Sequence, residues 1–298
     1  MAKGERVIQR IVLLLFVLSL LAACTSQDAE PADPPSPALW EITGPQGTVE
    51  GWLFGTVHAL PADLEWRSPQ LDKAIERADM LVVEVGDLDR RDRMAALFEG
   101  LAYDTPTGPV RERIRPGLRD AFDGLVAEAD VRRDYFDPME SWAAALALAQ
   151  VVQRGGSESG ADRALLADFS GREIVELEGA QAQLSIFDRL PEAEQRDLLN
   201  AVIEEASQDD VGEGTLAQAW RAGNVVELER LTRKGMLADP ELRQALLVDR
   251  NHAWAQRIEN LLSAKPRPLV SVGAGHMLGE DGLPALLEAS GYTVRRVD

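Results

Sequence analysis

Only three histidines, one cysteine and 5% aromatic residues occur among the 298 positions of this chain. A single cysteine excludes an internal disulfide framework. Basic residues are also scarce: 31 Lys and Arg stand against 50 Asp and Glu, a formal charge of −19. That balance argues against nucleic acid and against adhesion to anionic membranes, both of which depend on positive charge. No Gly-x-Ser-x-Gly elbow and no catalytic cysteine are present, so covalent acyl-enzyme chemistry has little support. The glycine-rich stretch 155–160 lacks the lysine and the strand-to-helix setting of a phosphate loop, and reads as a flexible connection.

The N-terminus stands apart in composition. Lys3, Arg6 and Arg10 precede the apolar run Ile11 to Leu18, which is too short for an ordinary spanning helix. The pattern predicts a secretory signal over residues 1–23. Leu21-Ala22-Ala23-Cys24 resembles a bacterial lipobox, whose cysteine becomes the lipid-modified first residue. Cys24 is therefore the expected lipid attachment point, and its alternative is a small inert residue at the end of the signal. Thr25 follows where an aspartate would signal inner-membrane retention, so the expected location is the outer membrane, facing the periplasm. Residues 24–38 carry four prolines without apolar periodicity and read as a tether. Contact with the membrane is expected through the lipid alone.

The remaining 39–298 alternate strand-like and helical patterns, which predicts an α/β fold with a mixed, mostly parallel sheet flanked by helices. Strand-like runs are Leu39–Thr43, Thr48–Phe54, Met80–Glu84, Ile174–Glu178, Leu269–Val272 and Tyr292–Val297, the first two joined through Gly44-Pro45-Gln46-Gly47. Helical spacing marks 68–78, 117–129, 139–154, 240–264 and 283–290, and a largely helical cap is expected at about 185–240.

Two of the three histidines share one setting. Gly55-Thr56-Val57-His58 and Gly273-Ala274-Gly275-His276 each follow an apolar strand. Imidazole is the commonest metal ligand and moves protons near neutral pH, so a matched pair suggests a built site; two unrelated turn histidines are the alternative. Function in open α/β sheets collects beyond the carboxyl ends of the strands, where Glu84 and Glu178 also fall. Glu84 ends a run apolar enough to be buried on both faces, and a carboxylate there needs a counter-charge or a metal. Its alternative is a salt bridge to an arginine. On the 240–264 helix, Leu247, Asn251, Trp254, Ile258 and Leu261 form one stripe with Arg250 at its edge, so Arg250 and Asn251 face the core and need partners. His252 falls off that stripe, toward solvent. Asp162 reads as a helix N-cap more readily than as a ligand, and Trp142 reads as core.

Leu53 to Leu60, Leu81 to Val85, Asp249-Arg250-Asn251 and Val272 to Leu283 together resemble the TraB/PrgY/GumN family in order and spacing. Glu176-Leu177-Glu178-Gly179 looks like that family's middle segment, with Glu176 in place of its glycine. The family includes Tiki-type metalloproteases and is distantly similar to erythromycin esterases and haem-binding ChaN-like proteins. The resemblance implies an α/β fold with His58, His276 and Glu84 around a divalent metal, and Arg250 as an anion or transition-state partner.

The leading expectation is metal-assisted hydrolysis of a peptide or another small substrate. Zn, Mn or Co would activate water, with Glu178 or Glu84 taking the proton and Arg250 facing the oxyanion. One rival keeps His58 and Glu84 as a metal-free base pair in an esterase-like hydrolase. The other is a lipoprotein that binds peptide or haem without catalysis.

Overall fold

A computed structural model describes residues 34–61, 63–86, 90–105, 108–152, 160–207, 213–264 and 266–298. The expected signal, Cys24, most of the tether and most of the 155–160 stretch lie outside the described residues. Among the described residues, no helix is long and apolar enough to cross a membrane.

Six strands build one sheet: β1 (Leu39–Thr43), β2 (Val49–Thr56), β3 (Met80–Val83), β4 (Glu173–Glu176), β5 (Pro268–Gly273) and β6 (Thr293–Arg296). Their spatial order is β4-β3-β5-β2-β1-β6. The hairpin of β1 and β2 is antiparallel, as is β1 with β6, whereas β2–β5, β5–β3 and β3–β4 are parallel. The sheet is thus mixed and mostly parallel. Its four parallel neighbours carry their carboxyl ends to the same edge.

Strand alternation divides the apolar residues between two cores. Trp52, Phe54, Leu81, Val83 and Leu269 face one side, where they meet helices 69–77 and 161–168 and Trp220. Leu53, Met80, Val82, Val270 and Val272 face the other, against Trp254, Ile258 and Leu262 of helix 249–263 and Leu283 and Leu287 of helix 283–289. Burial on both faces is why these runs read as nearly continuous apolar segments. A third, wholly helical core gathers residues 94–149 and 184–246. The helical layer therefore draws on 91–152 as well as on the later stretch. Trp142 sits in that core with its ring 5.5 Å from Phe98.

Parallel packing at the site edge rests on Gly55. A Cβ there would lie 2.9 Å from the Cα of Ala274, a backbone atom that cannot step aside. Gly55→Ala is expected to destabilise the fold by about 1–3 kcal/mol, the usual cost of overpacking. Chemical denaturation checks this, and an unchanged midpoint would show that the two strand ends are not in such close contact.

Candidate functional site

The strand order sets the order of the candidate side chains. Glu178 stands beyond β4, Glu84 beyond β3, His276 beyond β5 and His58 beyond β2. After Glu176 the chain stays paired with its neighbour, because the amides of Leu177 and Gly179 donate to the carbonyls of Val83 (2.7 Å) and Glu84 (3.0 Å). Glu178 is thereby held beside Glu84.

Between the two glutamates lies the Arg250 guanidinium, with only 8% of its side chain exposed. It meets Glu178 through both oxygens, Nη2 to Oε1 at 2.5 Å and Nε to Oε2 at 3.2 Å, and donates to Glu84 Oε2 at 2.6 Å. Its Nη1 donates to the carbonyl of Leu246 at 3.0 Å and lies 3.4 Å from His276 Nε2. The Trp254 ring lies 4.5 Å from its central carbon. The arginine alternative for Glu84 is thus present in the structure. The helix that carries Arg250 runs without a break over 240–263 but changes pitch: α-helix Pro240–Arg243 passes into a π-helical turn, Gln244–Val248, before helix Asp249–Ser263. Such turns occur often at functional sites. Arg250 and Asn251 are buried and His252 is exposed, as the stripe requires.

Each imidazole is oriented by a partner on Nδ1. Asn251 donates from Nδ2 to the carbonyls of Asp281 (2.7 Å) and His276 (3.3 Å), which turns its Oδ1 toward His276 Nδ1 at 2.6 Å. The proton of His276 therefore sits on Nδ1, leaving Nε2 as an acceptor beside Arg250. His58 Nδ1 makes a short contact to Asp162 Oδ2. Asp162 is not the N-cap predicted for it. Gly160 occupies that position, and Asp162 lies in the first turn of the helix, buried and aimed at His58. Gly160 makes the approach possible, since a Cβ there would lie 2.3 Å from the His58 carbonyl oxygen. A hydrogen bond from the Ala161 amide to the Val57 carbonyl at 3.0 Å fixes the same junction.

A small space over Gly273 joins these groups. The point where a Cβ of residue 273 would stand is 3.3 Å from Glu84 Oε1, 3.7 Å from His276 Cδ2 and 4.0 Å from His58 Nε2. The amide of Gly273 donates to Glu84 Oε1 at 2.7 Å. Glu84 Oε2 takes a second donor from Gln183 Nε2 at 3.1 Å, alongside Arg250. Gln183 is 2% exposed, and its Oε1 has no hydrogen-bond partner among the described residues.

Burial works against a proton on His58, yet the adjacent Asp162 carboxylate outweighs it and raises the histidine above its ordinary value. Burial, then the Arg250 charge, then His58 drive His276 the other way, well below its ordinary value. Glu178 is raised by burial, with Arg250 opposing. The two histidines, matched in sequence, thus behave as opposites: His58 is basic and His276 is held neutral. A group with a depressed folded value contributes stability above its unfolded value and loses it as pH falls. Unfolded histidine takes its proton near about 6.5. Falling pH below that point should therefore cost stability through His276. Melting curves at stepped pH test this: the decline should be smaller in His276→Gln, and an identical decline would remove His276 as its source.

The donor geometry bears on the metal expectation. Of the three proposed ligands, His58 and Glu84 bring a nitrogen and an oxygen nearest the space over Gly273, whereas the nearest atom of His276 is a carbon. His276 turns its Cδ2 edge there, and its Nε2 lies against a fixed guanidinium that would repel a divalent ion. Among the described residues, no group of three or more His, Cys, Asp or Glu is arranged to hold a metal. The residues present do not fit a three-ligand Zn, Mn or Co centre. Glu178, offered as a proton acceptor, is engaged at both oxygens by Arg250.

Asp162, Gln183 and Asn251 complete the cluster. Only Asn251 is signalled by helix phase; the other two depend on contacts more than 90 residues away in sequence.

A mixed sheet with paired Gly-x-x-His turns at its carboxyl edge defines the class, and the family model agrees. Residues 38–296 match the TraB/PrgY/gumN family, and the chain belongs to it. The proteins named YbaP of Shigella flexneri and of Escherichia coli strain K12 are each 26% identical over 259 residues, covering 84% of this chain and 92% of theirs. No solved structure matches.

Proposed function

We propose that the chain is a hydrolase of amide bonds that activates water with His58 and Asp162 and needs no metal. The observation that carries this reading is the His58–Asp162 contact through Nδ1, which sets the ring with its Nε2 beside the space over Gly273. A water in that space donates one hydrogen to His58 Nε2 and the other to Glu84 Oε1, which retains acceptor capacity beside its bond from Gly273. As the water oxygen attacks the substrate carbonyl carbon, His58 takes the proton and Asp162 stabilises the imidazolium. Arg250 Nη1 supplies the electrostatic partner. Its 3.4 Å contact to His276 is the longest it makes, and a developing oxyanion takes that donor over. His58 then returns the proton to the leaving nitrogen, giving an acid and an amine.

Gln183 favours an amide over an ester. Its buried Oε1, without a hydrogen-bond partner among the described residues, is an acceptor that an amide N–H satisfies and an ester oxygen cannot. We place the enzyme in the bacterial envelope, carried by lipid on Cys24 with its domain facing the periplasm, on the strength of the signal pattern and the lipobox resemblance. The other reading is a lipoprotein that binds peptide or haem without turnover, and it predicts no hydrolysis with or without metal.

The test is hydrolysis of a peptide library by the purified chain after exhaustive chelation. Activity should survive chelation and fall by about 10²–10⁴-fold in His58→Ala, the range for a lost general base. Activity that vanishes on chelation and returns with Zn, Mn or Co would instead establish the metal reading.

A further inference from the structure

Beside the ion-pair cluster, on the β4 side, the surface opens into a groove of about 490 Å³, within the range of small-ligand sites. Its lining grades from buried to exposed. Arg250 and Glu178 stand at the buried end, with 8% and 10% of their side chains accessible, and Trp254 is buried with them. Leu177, Ile186 and Leu190 supply an apolar wall. Arg189 and Arg257 are exposed in the same lining, with Asp249 its one exposed carboxylate.

The two outer arginines matter because of their partners. Arg257 donates to the backbone carbonyls of Leu177 and Glu176, neutral acceptors that orient the guanidinium and leave its charge uncompensated. Arg189 has no ion pair or side-chain hydrogen bond among the described residues; its chain neighbour Asp188 only feels its charge. Asp249 already accepts from Gln244 at 2.6 Å. In a chain of formal charge −19, two exposed arginines without carboxylate partners in the lining of one apolar groove make it attractive to an anion. The buried member of the same lining is Arg250, whose guanidinium also touches Glu84 and His276.

We propose that this groove binds the carboxy-terminal end of a peptide: the free carboxylate at Arg189 and Arg257, an apolar side chain against Leu177, Ile186 and Leu190, and the preceding carbonyl toward Arg250. This rests on the hydrolase reading and narrows it to release of a C-terminal residue. A neutral amide end would leave both arginines unanswered, and an interior segment of a longer chain brings no carboxylate to them.

Binding tests the inference apart from turnover. Full-length His58→Ala protein is titrated calorimetrically with N-acetyl-leucyl-leucine, with its C-terminal amide and with octanoate. The free acid should bind about tenfold or more tighter than the amide, as expected for a charge-assisted contact. In a second full-length protein that adds Arg189→Ala, an exposed position where an unchanged melting curve confirms folding, the ratio should shrink to about twofold. Equal affinity for acid and amide, a ratio unaffected by Arg189→Ala, or no binding of either peptide overturns the proposal. Octanoate binding tighter than the peptide acid overturns the peptide assignment. If the acid preference holds while the unmutated chain hydrolyses neither peptide, the carboxylate site stands and the hydrolase reading fails.

Discussion

Asp162→Asn should lower the hydrolytic rate by about 10²–10⁴-fold while leaving the fold intact. An asparagine fills the same volume against His58 but brings no negative charge. Two consequences follow in opposite directions. Losing the carboxylate removes what raises His58, so burial takes over and the histidine becomes harder to protonate. More of the base is then in its neutral, proton-accepting form at any given pH. The rate nevertheless falls, because the imidazolium formed in the transition state has lost its counter-charge and the ring its orientation. The pH profile separates these effects: in the unmutated protein activity should rise through a point above about 6.5, the ordinary histidine value. In Asp162→Asn that limb should move to lower pH on a much lower plateau. Residues acting as one unit show non-additive losses, so Asp162→Asn combined with His58→Ala should be little worse than His58→Ala alone. A variant with an unchanged rate and an unchanged acidic limb would remove Asp162 from the chemistry.

The second large effect concerns Arg250. Substitution by methionine should destabilise the protein by about 3–5 kcal/mol, the cost of leaving buried charge without its partner. Two carboxylates would then face each other across the gap, with 4% and 10% of their side chains exposed. Changing Glu84 and Glu178 to glutamine in the same chain should recover most of that loss, since neutral amides replace the uncompensated charges. Denaturant midpoints of the single and triple variants read this directly. A single variant within about 1 kcal/mol of the unmutated protein would mean that the guanidinium is not the counter-charge of this cluster.

Much of the frame is legible because burial on two faces leaves a mark in sequence. Leu81-Val82-Val83 and Leu269-Val270 are apolar throughout since alternate residues enter different cores. Helix phase likewise separates Arg250 and Asn251 from His252, because one stripe must face the sheet. The two glycines of the histidine turns have different reasons, however, and the repeat conceals them. Gly55 admits the backbone of Ala274, whereas Gly273 keeps open the space beside Glu84. The matched setting also hides the opposed environments of the two imidazoles. Those depend on Asp162 for one and on Asn251 and Arg250 for the other.

Asp162 is illegible for a physical reason. An aspartate at the start of a helix ordinarily caps it, and nothing local distinguishes one that instead meets a histidine 104 positions away. The missing Cβ of Gly160, on which the approach depends, is equally silent in sequence. The π-helical turn before Arg250 leaves no periodic signal over five residues. The helical core is similarly hard to delimit, because residues 94–149 and 184–246 share it across an intervening strand.

The protonation of the three histidines is the most direct test of the site. A two-bond proton–nitrogen NMR spectrum, recorded from pH 5 to 8.5 on nitrogen-labelled protein, reports the tautomer and titration of each ring. His58 should carry its proton on Nδ1 when neutral and titrate above about 6.5, the ordinary value. His276 should remain neutral with its proton on Nδ1 throughout. Both rings titrating together near the ordinary value, or His58 carrying its neutral proton on Nε2, would contradict a site built on one basic and one neutral imidazole.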